Sequence, residues 1–388
     1  MRGERAVAAR LGAAYVLYYV GYMSCFSFLS VYFSGRGFTA GQIAVANTGV
    51  ALVNFGSQFV MGRLAARLSP RRVLGLCLAG ALPFGLLLGG MPARLGPVLA
   101  ALLPLTLLDF SALGQLDALT LRLGARYPRI QYSRMRALGG LSGAVLSAGL
   151  GDLLARRGMG LMFWVHTAAL AAALALVHSL PEGEAPAPAA RSGSRTAGTP
   201  LLRLLPAGIL LFTGWRVVLA FLPLMVVEQG GASRQQGVAM AIISLSSLPV
   251  LAAWPRLRRR FSLRALMGAG AAVMVMRLAC MALPLDPWAL AAVQLAEGPS
   301  YGLLQPGVME LIARRGGAEQ ARAAAVWTGV QMAFCALLAN GLLAVWTGPL
   351  RLAFVPAALL AAAGGVWLML ALPKPETGKG MARNGTIR

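Results

Sequence analysis

What most constrains this chain is how its charges are kept out of long apolar runs. Stretches of roughly 20 mainly apolar residues, the length of a helix that crosses a bilayer, recur along the whole sequence between short arginine-rich segments. Only 12% of the 388 residues are charged and 58% are hydrophobic, against about 25% and 45–50% in soluble domains. This pattern predicts an all-α integral membrane protein, because a backbone in lipid must satisfy its own hydrogen bonds and helices do so.

Twelve transmembrane helices are expected, near 12–34, 42–62, 73–91, 96–119, 134–155, 159–180, 204–227, 236–255, 264–284, 288–312, 322–345 and 350–372. The first is too long for a signal peptide and lacks a small-x-small cleavage site, so it reads as an uncleaved span. With the N-terminus in the cytoplasm, 26 of the 35 Lys and Arg fall on the cytoplasmic side. Six fall opposite and three lie within spans: Arg136, Arg216 and Arg277. That asymmetry fixes the orientation, with both termini cytoplasmic in a bacterial-type inner membrane. It also accounts for the net charge of +23 without nucleic acid, since anionic headgroups attract such loops. Cys25, Cys77, Cys280 and Cys335 all sit in apolar stretches, with no CxxC and only two histidines; neither a disulfide framework nor a zinc site is expected. No cofactor is expected.

The one long Pro/Gly/Ala/Ser-rich stretch, around 181–200, cannot bury an apolar face and reads as a flexible linker. It divides the chain into an N-terminal six-helix bundle (1–180), a cytoplasmic linker (181–203), a C-terminal six-helix bundle (204–372) and a cytoplasmic tail (373–388). The loops after the second and eighth spans also correspond. Arg63-Leu64-x-x-Arg67-Leu68-Ser69-x-Arg71 aligns with Arg256-Leu257-x-x-Arg260-Phe261-Ser262-x-Arg264 at a constant offset of 193. Parallel repeats of this kind build two-bundle transporters with the substrate site near the midplane between the halves.

The loop GRLAARLSPRR (62–72) resembles the cytoplasmic signature of the major facilitator superfamily, with Ala66 where an Asp or Asn is usual. LDALTLRL (116–123) and YSRMRALGGLSGAVLSAGLGDLL (132–154) resemble the branch holding the oligosaccharide–proton and nucleoside–proton symporters, the lactose permease-like proteins. In that branch an acidic residue late in span 4 faces an arginine early in span 5, which implies substrate binding by Asp117 and Arg136. The arginine of span 9 and the histidine of span 10 in lactose permease-like transporters correspond to Arg277 and Glu297. Ser300 stands at the position of those proteins' proton-carrying carboxylate, so Glu297 inherits that task. Their sugar-stacking tryptophan corresponds to Gly143, so any sugar needs another platform.

Ionisable residues at membrane depth are costly and are functional candidates by default. Asp117 near the end of span 4 and Arg136 near the start of span 5 share a depth, and the pair either binds substrate or ties the two spans. Asp109 is eight residues before Asp117, roughly 80° around the helix, so both can face one cavity as substrate or proton groups. Arg277 and Glu297 form a second constellation, whose carboxylate would change proton affinity as its partner moves. Arg216, at the centre of span 7, reaches either Glu297 or an anionic substrate group. Glu310, near Arg314-Arg315, reads as a cytoplasmic latch. Asn47, Asn54, Gln58, Gln115, Gln305, Gln331 and Asn340 line a cavity or bond between helices. His166 and His178 read as interfacial or cavity-wall histidines, the tryptophans largely as interfacial anchors, and Gly139-x-x-x-Gly143 as packing.

The expected protein is therefore a monomeric, proton-coupled secondary transporter of a small polar solute. Its partners are the solute, protons and the lipid bilayer. Proton-driven efflux of drugs or metabolites is the alternative. A membrane enzyme would need a nucleophile–base or metal constellation at one interface, and the sequence has neither.

Overall fold

The computed structural model describes residues 2–65, 68–182, 201–313 and 329–372, with Ala323, Val326 and Trp327. Most of the linker, the tail, Arg67 and Arg314-Arg315 lie outside the described residues, as does the side chain of Gln58. All described elements are helical. The first half holds α1 (Arg2–Phe26, resumed after a break as Leu29–Gly35), α2 (Ala40–Ala65), α3 (Pro70–Gly90), α4 (Leu95–Arg126), α5 (Tyr132–Arg157) and α6 (Leu161–His178). The second holds α7 (Leu201–Glu228), α8 (Ser233–Arg260) and α9 (Leu263–Met281). Then come α10 (Pro287–Val293, a 3₁₀ turn Gln294–Ala296, then Glu297–Ala313), α11 (a π turn Val330–Phe334 running into Cys335–Val345) and α12 (a 3₁₀ turn Leu350–Ala353, then Phe354–Ala371).

Nine of the described helical stretches are long and apolar enough to cross a membrane; α2, the interrupted α10 and α11 supply the other passes. The outer surface is apolar, with Leu370, Val345, Trp164 and Leu359 all exposed, as lipid rather than water requires. Helix starts follow from local chemistry. Ser69 caps α3, accepting from the Arg72 amide with Pro70 in the first turn; Ser262, its counterpart 193 residues on, caps α9 by accepting from the Ala265 amide. Asp286 caps α10 ahead of Pro287. Gly230, at φ +78, makes the α7–α8 turn in a conformation that a side chain would strain.

The two halves pack alike. In the first, α1 packs on α5 and α6, α4 on α2 and α3, and α3 on α6. In the second, α7 packs on α11 and α12, α10 on α8 and α9, and α9 on α12. The repeat reaches individual atoms. Arg71 Nη1 donates to the Leu180 carbonyl closing α6 at 2.8 Å, and Arg264 Nη1 donates to the Leu372 carbonyl closing α12. Between halves, α5 packs on α8 and α2 on α11.

Candidate functional site

The halves meet around a cavity of about 320 Å³. Aromatic rings wall it from both sides. From the first half come Tyr22 and Phe26 of α1, stacked at 5.2 Å, with Phe110 of α4 edge-on to each. From the second comes Trp215 of α7, whose outer face stacks on Tyr301 at 4.7 Å. Asn47, Asn54 and Asn340 add polar groups to the wall, and Asn47 donates to Ser30 Oγ at 3.2 Å. Arg216 is the single charged residue in the lining among the described residues.

One end of the cavity is shut where α5 finishes and α8 begins. Ser233 Oγ donates to the Gly151 carbonyl at 2.9 Å, Gln236 Nε2 donates to the Ser27 carbonyl at 3.4 Å, and Arg234 lies 3.9 Å from Asp152. Gly151 and Gly237 allow this approach: a Cβ on Gly237 would lie against the Ser147 carbonyl and 3.2 Å from Gly151 Cα. Among the described residues, the hydrogen bonds and ion pair that join the halves all gather at this end.

Behind Trp215 lies the pair of Arg277 and Glu297. Both are buried, and Arg277 Nη1 donates to Glu297 Oε2 while its Nη2 donates to Gln294 Oε1. The Trp215 indole N–H donates to Glu297 Oε1 at 2.8 Å. The carboxylate therefore touches the back of a residue whose face lines the cavity. Of the two partners expected for Arg216, Glu297 is taken by Arg277. Arg216 instead donates from Nε to the Gln331 carbonyl at 3.0 Å and from Nη2 to Met332 Sδ at 2.8 Å, with its guanidinium 4.9 Å from the Trp215 ring centre.

Asp117 and Arg136 form the expected pair, Nη1 to Oδ2 at 3.1 Å. Two tyrosines also donate to the carboxylate: Tyr15 to Oδ1 at 2.7 Å and Tyr132 to Oδ2 at 3.3 Å. The knot ties α1, α4 and α5 together. It is absent from the cavity lining, standing seven residues beyond Phe110, about 10 Å along α4. Asp109 departs from expectation. It is fully buried inside the first half, outside the cavity lining, and both carboxyl oxygens lack a hydrogen-bond partner among the described residues. Asp109 and Asp117 thus do not share one cavity here, because α4 turns Phe110 rather than Asp109 toward it.

Three further residues named from the sequence have defined surroundings, and His166 departs from expectation. Glu310 is held by a two-pronged fork from Arg258 at 2.8 and 2.9 Å, across α8 and α10 of one half. His166 is fully buried with Nδ1 2.9 Å from the Gly21 carbonyl, so it belongs to helix packing rather than a cavity wall. Gly143 has no room for an aromatic ring, since even a Cβ would lie 2.8 Å from Met23 Cγ. The rings of Trp215 and Tyr22 were not anticipated; the signal for Trp215 is a tryptophan at the middle of a span, away from the usual interfacial belt. The described residues include no cluster of metal-ligating side chains.

Two pseudo-symmetric helical halves around a cavity between them are an architecture of membrane carriers. The chain belongs to the MFS_1 like family, whose model matches residues 8–342. It is similar to the maltose permease of Geobacillus stearothermophilus, 27% identical over 377 residues and covering 93% of each chain. Among solved structures it is similar to the nucleoside transporter NupG, with a TM-score of 0.77, 13% identity and coverage of 94% of this chain and 98% of that one. A POT family transporter in complex with 5-aminolevulinic acid superposes with a TM-score of 0.76, at 11% identity and 95% and 96% coverage.

Proposed function

We propose that this multi-pass membrane protein is a proton-coupled secondary transporter that moves a small polar solute of the sugar, oligosaccharide or nucleoside class by alternating access. Residues 1–180 rock against 204–372 about the linker 181–203, and the chain works as a monomer in a bacterial-type inner membrane with both termini cytoplasmic. The arginine asymmetry supports the orientation, and likeness to a maltose permease supports a sugar-sized solute.

The observation that carries the coupling is the Trp215 bridge. The indole faces the cavity on one side and donates to Glu297 on the other. A solute seated against Trp215 shifts this donor and with it the balance at Glu297. Glu297 accepts a proton when Arg277 turns to Gln294 and gives it up when the ion pair re-forms. A buried ion pair losing one partner is strongly disfavoured, so proton and guanidinium replace each other rather than leave together. Asp117 and Arg136 serve as the substrate-linked pair of the first half, opening with the rocking motion. Asp109, beyond the reach of a solute in the cavity, acts as a second proton group. Efflux of drugs or metabolites is the second reading, favoured by the apolar part of the lining around Met23, Leu219 and Met240.

Vesicles reconstituted with the purified protein test the assignment of Glu297. Under an imposed pH gradient the parent accumulates labelled sugar or nucleoside. Glu297→Gln is expected to lose accumulation while keeping equilibrium exchange of the same solute. Accumulation by the variant at the parent rate would refute Glu297 as the proton carrier.

A further inference from the structure

Of the three arginines at membrane depth, two face a carboxylate: Arg136 faces Asp117 and Arg277 faces Glu297. Arg216 faces none among the described residues. Its neighbours are a backbone carbonyl, a thioether and an indole ring. Each is attracted to a cation, but none cancels its charge, and a charge in a low-dielectric setting is costly until an anion meets it.

The guanidinium is also fixed in place. Val330–Phe334 is a π turn, a local widening of the helix that recurs at functional sites. Gln331 and Met332, the two acceptors that hold Nε and Nη2, both belong to it. That hold leaves Nη1 without a protein acceptor among the described residues, on the one charged side chain lining the cavity. Among the described residues the lining contains no Asp or Glu. A positive, oriented and unsatisfied donor on the wall of a solute-sized cavity is complementary to a negative ligand group.

We infer that the transported solute carries a carboxylate, which Arg216 binds in the cavity between Trp215 and the rings of Tyr22 and Phe110. The inference rests on the transport reading above and narrows its polar solute to an acid of sugar size. One uncompensated positive charge matches one carboxylate. A phosphate monoester, with a charge of about −1.5 to −2 at neutral pH, would leave negative charge unmatched in a cavity with no second cation. The asparagines at 47, 54 and 340 supply partners for the hydroxyl groups of such an acid.

Binding to the purified full-length protein in lipid nanodiscs, read by thermal stabilisation, tests this with matched probes: glucuronate against glucose, galacturonate against galactose, and glucose 6-phosphate. The carboxylates are expected to stabilise the parent at concentrations where their neutral counterparts do not. Arg216→Gln is expected to weaken that binding about ten-fold or more, the loss that follows removal of a charge-assisted hydrogen bond. If that variant does not fold, Arg216→Lys keeps the charge without the fork and is expected to bind the carboxylates several-fold more weakly than the parent. Equal stabilisation by neutral sugars, preference for the phosphate, no response to any carboxylate, or undiminished carboxylate binding by the substituted protein would each overturn the proposal. The assay does not read proton movement. Carboxylate binding without coupled protons would refute the coupling and leave this inference standing; proton-coupled transport of neutral sugars alone would do the reverse.

Discussion

Asp117 is held by donors from two other helices, Tyr15 of α1 and Tyr132 and Arg136 of α5. Asp117→Asn keeps the shape of the side chain but leaves the half-buried Arg136 without its counter-charge. The expected result is a thermal stability lower by roughly 1–3 kcal/mol in detergent. Adding Arg136→Gln to that variant should recover part of the loss, because both charges are then gone; a further drop would show that the pair is not coupled. At Trp215 the expectation is functional. Trp215→Phe retains a ring against the cavity but removes the N–H that reaches Glu297, so binding should persist while proton-driven accumulation falls. An unchanged accumulation rate in vesicles would break the proposed bridge. At this scale the charged residues were legible because charge is rare and costly in a membrane, while the sequence left Glu297 open to either Arg277 or Arg216. The setting of Arg216 was not legible. It depends on a π turn in a distant helix and on Glu297 being taken by Arg277, and neither leaves a local pattern. The same holds for Asp109, whose facing depends on how α4 is rotated against α1 and α3.

At the scale of elements, the contact of α5 with α8 shuts one end of the cavity, and it is built on two glycines. Gly237→Val would drive a side chain into the Ser147 carbonyl and should part the two helices there. A cysteine placed at Ser30, on the cavity wall, reports the outcome. A membrane-impermeant maleimide added from the side opposite the arginine-rich loops should label it slowly in the parent and several-fold faster with Gly237→Val. Equal rates would mean that this contact is not the closure. Most helix positions could be read from the sequence because hydropathy marks them directly: α12 was expected at 350–372 and its described helix closes at Ala371. The interruptions could not be read. The break in α1 after Phe26 falls inside a mainly apolar run, and the 3₁₀ turn at Gln294–Ala296 falls inside an expected span, so neither is marked as a span boundary. The long α4 runs past its apolar run to Arg126, since a helix need not stop where the lipid does. The repeat was legible for a physical reason: Ser69 and Ser262 are caps, and Arg71 and Arg264 brace the ends of α6 and α12.

For the whole molecule, the matched packing of the two halves, joined by α5 on α8 and α2 on α11, is the frame on which the proposed rocking would act. The arginine-rich loops flank the opposite end. The proposed transport cycle needs a second state, in which α5 leaves α8. The proposed proton coupling passes through Glu297. The most direct measurement is the external pH of a lightly buffered suspension of de-energised cells making the protein, as sugars, sugar acids and nucleosides are added one at a time. Alkalinisation on adding one solute, abolished by Glu297→Gln with the protein still in the membrane, is the predicted result. Alkalinisation that survives the substitution, or a transported solute that moves no protons, would contradict the account.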